Sequence, residues 1–385
     1  MRKFVVEVLP VSAAAAIAMG FTGSAHAVDF AVSGQVDRAF VFANNGKRSD
    51  AGSVDNNGSN SRFRFTGSQI MDNGMKLGFT YEIGLTQMPS SSWDIGQNSD
   101  GSVQLDTRKV EGYLESSFGT LSLGKGDGAG HYADTIDFSE TNFLGGGVEY
   151  EDYNAGLTFV DGAGNHHFTV GTTQSDFDAF SRVSRVRYDS PSLNGFVLST
   201  SFDNGHAYEL AARYKRNFPG GTKFAAGMSW DDGQDRNIPI DPGTGSGYNG
   251  TLSSRILNGS ASLQLSNNLI FTVSAARDYT ANITGEGTKA QAGFDATNYF
   301  GQIGYQFGRH NFAINYGVTY DYEFMGNKGQ QFGAAYVFDW TKTVQLYTSY
   351  HLYTLDLPSY VKTGFGLGNQ KDLNVVFSGV RIKFM

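Results

Sequence analysis

Apolar and polar residues alternate along most of this chain with a period of two. From 75 to 86 the odd positions are Met75, Leu77, Phe79, Tyr81, Ile83 and Leu85, with Lys76, Gly78, Thr80, Glu82, Gly84 and Thr86 between them. From 312 to 324 the even positions are Phe312, Ile314, Tyr316, Val318, Tyr320, Tyr322 and Phe324. Successive side chains of a strand point to opposite faces, so this is the pattern of sheet with one apolar side. No helical period of comparable length competes. The pattern predicts strands near 29–43, 61–71, 75–87, 105–117, 121–126, 182–190, 196–203, 206–216, 222–231, 257–266, 269–280, 298–307, 311–324, 331–340, 343–353 and 373–384, which makes sixteen.

The connections alternate too. Tight turns such as Asp72-Asn73-Gly74, Asn267-Asn268 and Gly308-Arg309-His310 carry the residues that tolerate positive φ. Between them lie long polar stretches at 45–60, 88–104, 127–181, 231–256, 281–297 and 354–372. Short turns, long loops and apolar-out, polar-in strands describe an outer-membrane barrel. A soluble sandwich would carry Lys and Glu on its polar face. Here that face is mostly Gly, Ser, Thr, Asn and Gln, which suits the wall of a watery lumen. In lipid such a sheet must close on itself. The expected fold is therefore all-β: a transmembrane antiparallel barrel of sixteen strands, wide enough for an aqueous channel.

Composition narrows the function. Charged residues are only 17% and the formal net charge is −8, which leaves no basic footprint for nucleic acid. With no Cys, disulfides, thiol chemistry and Cys-ligated metals are excluded. Arg2 and Lys3, the Ala-rich apolar run from Val8 to Gly20 and Ala25-His26-Ala27 have the layout of a secretory signal peptide over 1–27. A single barrel domain is then expected over 28–385, starting at Val28 after cleavage at Ala27.

Four segments carry a family likeness: Ser61-Arg62-Phe63-Arg64-Phe65-Thr66-Gly67-Ser68, Phe118-Gly119-Thr120-Leu121-Ser122-Leu123-Gly124-Lys125, Arg187-Tyr188-Asp189-Ser190-Pro191-Ser192-Leu193-Asn194-Gly195-Phe196, and the closing strand to Phe384. In their order and spacing the sequence resembles the general diffusion porins of Gram-negative outer membranes, across essentially the whole mature chain. The resemblance implies a trimer of sixteen-stranded barrels in outer-membrane lipid, with the third loop folded inward to narrow the lumen. Two features depart from the family. Met385 follows the Phe that usually ends the chain. The third loop, 127–181, is longer than in the best-known members. Within it, 155–160 and 167–172 read as a hairpin around Gly162-Ala163-Gly164-Asn165. If that hairpin joined the wall, the barrel would have eighteen strands.

Alternation also sorts the arginines. Phe63 and Phe65 take one face, so Arg62 and Arg64 share the other; Val186 and Tyr188 likewise leave Arg185 and Arg187 together. An Arg or Lys at the lipid midplane costs about 2–4 kcal/mol, so the lumen is the favoured side. By the resemblance, Arg62 and Arg108 fall at the family's constriction. The alternation of 110–118, however, puts Arg108 on the phase of Val110 and leaves its direction open. The inward loop begins with Asp127, Asp134, Asp137 and Glu140. Facing rows of acids and bases make a transverse field that orients dipolar solutes. The alternative reading of these acids is that they only hydrogen-bond the loop to the wall. Net acidity leads to the expectation of a weak cation preference. Arg381 and Lys383 read as rim or lumen charges rather than filter residues.

An enzyme reading finds no support: there is no G-x-S-x-G and no H-E-x-x-H, and His166-His167 is adjacent rather than i, i+4. No cofactor is expected. Asp55-Asn56-Asn57-Gly58 and Asp231-Asp232-Gly233 offer oxygen ligands of the kind Ca²⁺ accepts, without EF-hand spacing; solvated loop is the default reading. The expected function is a passive channel for small hydrophilic solutes and ions. A substrate-specific channel with a saturable site in the third loop is the alternative within transport. A barrel acting mainly as surface adhesin or structural anchor is the alternative outside it.

Overall fold

The computed structural model describes residues 28–97, 101–233, 255–279 and 295–385. The expected signal peptide lies outside them. The first strands are β1 (Asp29–Asn44), β2 (Ser49–Asp55), β3 (Arg62–Ile70), β4 (Lys76–Thr86), β5 (Gln104–Ser116) and β6 (Gly119–Asp127). After a short hairpin, β7 (Thr158–Val160) and β8 (His166–Thr169), come β9 (Arg182–Asp189), β10 (Phe196–Asp203), β11 (Tyr208–Asn217) and β12 (Lys223–Asp232). The chain continues as β13 (Arg255–Gln264), β14 (Leu269–Asp278), β15 (Ala296–Phe307), β16 (His310–Tyr320), β17 (Lys328–Asp339) and β18 (Val344–Asp356). A helix, α1 (Ser359–Phe365), precedes β19 (Leu373–Phe384).

Sixteen of these strands form the wall: β1, β3 to β6 and β9 to β19, each antiparallel to the next. The ring closes where Gly34–Asn44 of β1 pair with Asn374–Phe384 of β19. Closure satisfies every edge, the condition lipid imposes. The sixteen strands match those expected from alternation. The hairpin of β7 and β8 forms within the third loop and pairs with no wall strand, its outward backbone contacts being to Gln370 and Lys371 in the loop before β19, so the wall stays at sixteen.

Two elements, β2 and α1, depart from the reading of 45–60 and 354–372 as loop. β2 pairs with Arg38–Asn44 of β1, while β3 takes Asp29–Gln35 of the same edge. α1 ends on Gly366, whose φ of 65° lies in the left-handed region that glycine, without a Cβ, adopts freely.

The wall is a soluble protein turned inside out. Along one row across the sheet, Ile303, Ile314, Ala334, Tyr350, Val376 and Phe42 stand opposite one another, and the large ones among them are exposed. Their inward neighbours Gln302, Asn315, Ala335 and Ser349 are buried. The turns between strands are tight: Asn268 (φ 66°) and Gly308 (φ 59°) sit in the left-handed region that such two-residue connections demand. On β1 and β19 the inward face is apolar as well. Ala39, Val41, Ala43, Leu373, Val375 and Phe377 are all buried, because the third loop packs Leu144, Val148, Tyr150, Tyr153, Leu157 and Phe159 against them. The lumen therefore holds an apolar core of its own.

Candidate functional site

The third loop, 128–181, stays inside the barrel and is fastened along the wall. The Ala129, Ile136 and Phe138 amides donate to Ser201, Ser260 and Ser262 Oγ at 2.9, 2.9 and 3.2 Å. Gln306 Nε2 donates to the Phe138 carbonyl (3.0 Å). Asn56 Nδ2 does the same for Phe143 (2.9 Å). The first leg thus runs from β10 past β15 to the far side of the lumen. The loop then turns back, with Asn298 Nδ2 on the Tyr150 hydroxyl (2.8 Å) and the Tyr353 hydroxyl donating to the Tyr150 carbonyl (2.7 Å). Asn258 Nδ2 meets the Phe177 carbonyl at 3.1 Å near the end of the return leg. Five non-glycine residues of the loop hold positive φ: Tyr132, Glu140, Phe143, Phe177 and Ser181. Such conformations cost on the order of 1–3 kcal/mol each and persist only where surrounding contacts fix them.

What the loop leaves open is a polar cavity of about 370 Å³ beside β3, β5 and β19. Arg62, Arg108, Arg182 and Arg381 line it from the wall strands together with Asp106 of β5, and Glu149, Asp152 and Asp178 line it from the loop. Arg64 and Arg108 share Glu82, their Nε atoms donating to its two oxygens at 2.6 Å each. Arg62, two residues from Arg64 on β3, makes no ion pair among the described residues. Arg64 opens instead on a second, smaller hollow with Arg62 and Lys383.

Arg108 reaches the lumen through a bulge. Glu82 pairs with Lys109 but Ile83 with Thr107, so Arg108 is the extra residue on β5. A bulge resets the two-residue phase, and Arg108 and Lys109 both turn inward. The phase of Val110 could not reveal this.

Arg185 and Arg187 are engaged by the root of the loop. Arg185 donates to the Gly124 and Asp127 carbonyls (3.2 and 2.9 Å) and to Glu111 (2.6 Å), with its side chain 3% exposed. Arg187 holds the Gly128 carbonyl (2.7 Å) and Asp189 (2.8 Å). Arg213, not singled out by the pattern, holds the Ala129 and His131 carbonyls at 2.8 and 2.6 Å.

The four loop acids expected at the site occupy different places. Asp127 contacts Lys109 and lies 3.4 Å from Arg182. Asp134 is fully buried. Asp137 is pinned to the wall by Thr272 (2.9 Å) and Gln302 (3.0 Å). Glu140 is exposed and within electrostatic reach of Arg381 and Lys383. The acids that do face the cavity, Glu149, Asp152 and Asp178, sit in loop without periodicity. Burial and repulsion among them push Glu149 and Asp178 well above the usual carboxylate range, and burial raises Asp152. Behind them Glu151 rises to about 8 and Asp134 to about 6, chiefly by burial. Burial also holds the His131 imidazole down to about 3.

Residues 13–356 match the sequence model of the Gram-negative porins. The chain belongs to that family. No curated protein sequence matches it. Among solved structures it is similar to an anion-selective porin of Comamonas acidovorans (12% identity, TM-score 0.58, covering 93% of this chain and all of that one). It is also similar to a loop L8 deletion mutant of OmpT, an outer membrane protein of Vibrio cholerae (12%, TM-score 0.60, 93% and 100%), and to the outer membrane channel DcaP of Acinetobacter baumannii (13%, TM-score 0.56, 93% and 97%). At such identities these likenesses speak for the fold. Family and fold together make the protein an outer-membrane channel.

Elsewhere in this porin the residues weighed as metal ligands have protein partners. Asp55 takes Arg38 (2.9 Å) and the Gln87 and Met88 amides (2.7 and 3.0 Å). Asp231 takes Ser229 (2.6 Å), and Asp232 takes Arg255 (3.3 Å). His167 stacks on Phe365 of α1, ring centres 4.1 Å apart. Among the described residues no group of three or more His, Asp or Glu is placed to hold a metal ion.

Proposed function

We propose that this porin is a passive diffusion channel, without catalytic activity or cofactor, whose solutes are sorted by size and by charge orientation in the cavity between the arginines and the third loop. The observation that carries the reading is that cavity, lined by guanidinium groups of the wall strands and carboxyl groups of the third loop. In a narrow, low-dielectric passage such opposed rows orient a dipolar solute and exclude bulky apolar ones. Arg62 and Arg108 form the basic wall of the cavity, joined by Arg381, with Arg64 on the adjoining hollow. Arg185 and Arg187 work one step removed, by fixing where the loop begins.

Selectivity follows the protonation of the loop. Where Glu149, Asp152 and Asp178 hold their protons, the arginines dominate and anions are favoured, as in the porin of Comamonas acidovorans described as anion-selective. As pH rises these acids ionise and the preference moves toward cations, the sign suggested by the chain's net charge. In a KCl gradient the reversal potential is expected to shift in the cation direction between pH 5 and pH 9. A pH-independent reversal potential would refute this account of the sorting.

The unpaired Arg62 in so small a cavity favours a second reading, a channel with a saturable site for one class of anion. Flux that saturates with a single solute supports it; flux that falls smoothly with solute size supports general diffusion. A homotrimer, delivered to the outer membrane after cleavage at Ala27, is the assembly expected from the family resemblance. Native gel migration before and after boiling tests it.

A further inference from the structure

The outer wall has a hollow on the lipid-facing side of β15 to β18. Ile303, Phe312, Ile314 and Tyr350 stand 37–52% exposed around the shorter Ala334 and Thr348, enclosing about 620 Å³. The few polar atoms there are satisfied within the wall. The Thr348 and Ser378 hydroxyls bond one another at 2.7 Å, and the Tyr350 hydroxyl donates to Asn374 at 2.7 Å. Only hydrocarbon fits such a surface.

The character changes at the end nearest the short turns. Tyr336, beside the hollow, is hydrogen-bonded through its hydroxyl to His310 Nδ1 at 2.8 Å. Its turn neighbour Arg309 donates to the Trp340 carbonyl (3.0 Å), which ties turn 308–310 to turn 341–343. Arg309 and Lys342 are exposed, and neither forms an ion pair among the described residues. The nearby carboxylate, Asp339, points the other way, into the lumen, where Asn311 and Gln345 donate to it at 3.0 and 2.7 Å. Two cations and an exposed Trp therefore stand below an oily hollow with no acid from either turn to neutralise them.

The spacing suits one leaflet. Ala334 to Trp340 is six residues of chain, about 20 Å along the strand and about 14 Å along the normal once tilted by about 45°. That is close to half of the ~25 Å apolar band of such barrels. Short turns face the periplasm, so the cations lie at the periplasmic headgroups, where phosphate is matched by Arg and Lys and aromatic rings settle.

We propose that this face is a binding seat for an anionic glycerophospholipid of the periplasmic leaflet, an acyl chain lying over Ala334 and Thr348 and the phosphate between Arg309 and Lys342. The seat depends on the barrel and its orientation in the membrane, not on which solute passes through it.

Native mass spectrometry of the detergent-purified protein tests this, with phosphatidylglycerol and phosphatidylcholine of the same chain length added in parallel. Wild type is expected to retain phosphatidylglycerol preferentially, by about fivefold per cation involved. Arg309→Glu with Lys342→Glu is expected to abolish the preference while leaving some lipid bound. Ala334→Phe, which fills the hollow, is expected to reduce retention of both lipids. Unchanged heat-modifiable migration and single-channel conductance establish that the variants fold. The proposal fails if the double charge variant keeps the preference, or if Ala334→Phe retains lipid as wild type does. It also fails if Ala334→Cys protomers crosslink to one another in the membrane, which would make the occupant a second copy.

Discussion

The two halves of the lumen are built from different side chains. From β10 to β18 many inward residues are neutral, Ser201, Ser260, Ser262, Thr272 and Gln302 among them, and these bond the third loop; the charged Glu209 and Arg213 of β11 are met by it as well, through the Phe180 amide and the Ala129 carbonyl. From β3 to β5, and again at Arg381 of β19, charged residues face open space. Neutral groups lose little hydration when a loop covers them, whereas a covered guanidinium must find partners for all its donors. The polarity of the wall thus decides which side the loop fills and which side carries water.

The most direct way to break that comparison is to excise 129–180 behind a short linker. Single-channel conductance is expected to rise several-fold while the barrel stays heat-modifiable, since no wall ladder passes through the loop. An unchanged conductance would mean that the loop does not limit the passage. Next in size is Arg62→Ala. Removing one unpaired charge from the passage is expected to change the cation-to-anion permeability ratio by about fivefold, corresponding to about 1 kcal/mol, read as a shift of reversal potential. The same change at Arg185 is expected instead to disturb the loop root and raise current noise. Equal selectivity shifts from Arg62→Ala and Arg185→Ala would erase the distinction between them.

Smaller still is Gln302→Leu combined with Thr272→Val, which takes two donors from Asp137. Leaving that carboxylate short of partners costs about 1–3 kcal/mol of loop anchoring, measured as faster hydrogen exchange over 133–141. The smallest effect is the pH response of loop packing. Glu151 is raised from 4.5 to about 8, so the folded loop keeps a proton that the unfolded loop has lost in that window. Stability is full below about 4.5 and declines as pH climbs toward 8. Intrinsic-rate-corrected exchange over 148–157 is expected to be faster at pH 8.5 than at pH 5.

Legibility divides along the same line. The wall strands could be read because Leu77, Tyr81, Ile303 or Phe312 must meet hydrocarbon while their neighbours meet water, and a period of two records that without knowledge of partners. Arg62 and Arg64 were readable for the same reason, and Lys109 was available from the inward phase opposite Val110. Arg108 was not, because a bulge leaves no trace in alternation. Nor was β2, whose Ser49–Asp55 segment pairs β1 through backbone groups with few apolar residues. Glu149, Asp152 and Asp178 owe their places to a path fixed by positive φ at Tyr132, Phe143 and Phe177 and by contacts from many strands. None of those constraints is periodic, so the acids at the head of the loop drew attention while those further along it line the cavity.

The seam between β1 and β19 joins positions some 340 residues apart, and until it zips every intermediate presents two raw margins to its surroundings. A ribosome-bound or half-translocated chain therefore cannot acquire a finished rim in instalments. Assembly of this molecule is all-or-none at its last step, and whatever shepherds it must shield both margins until they meet.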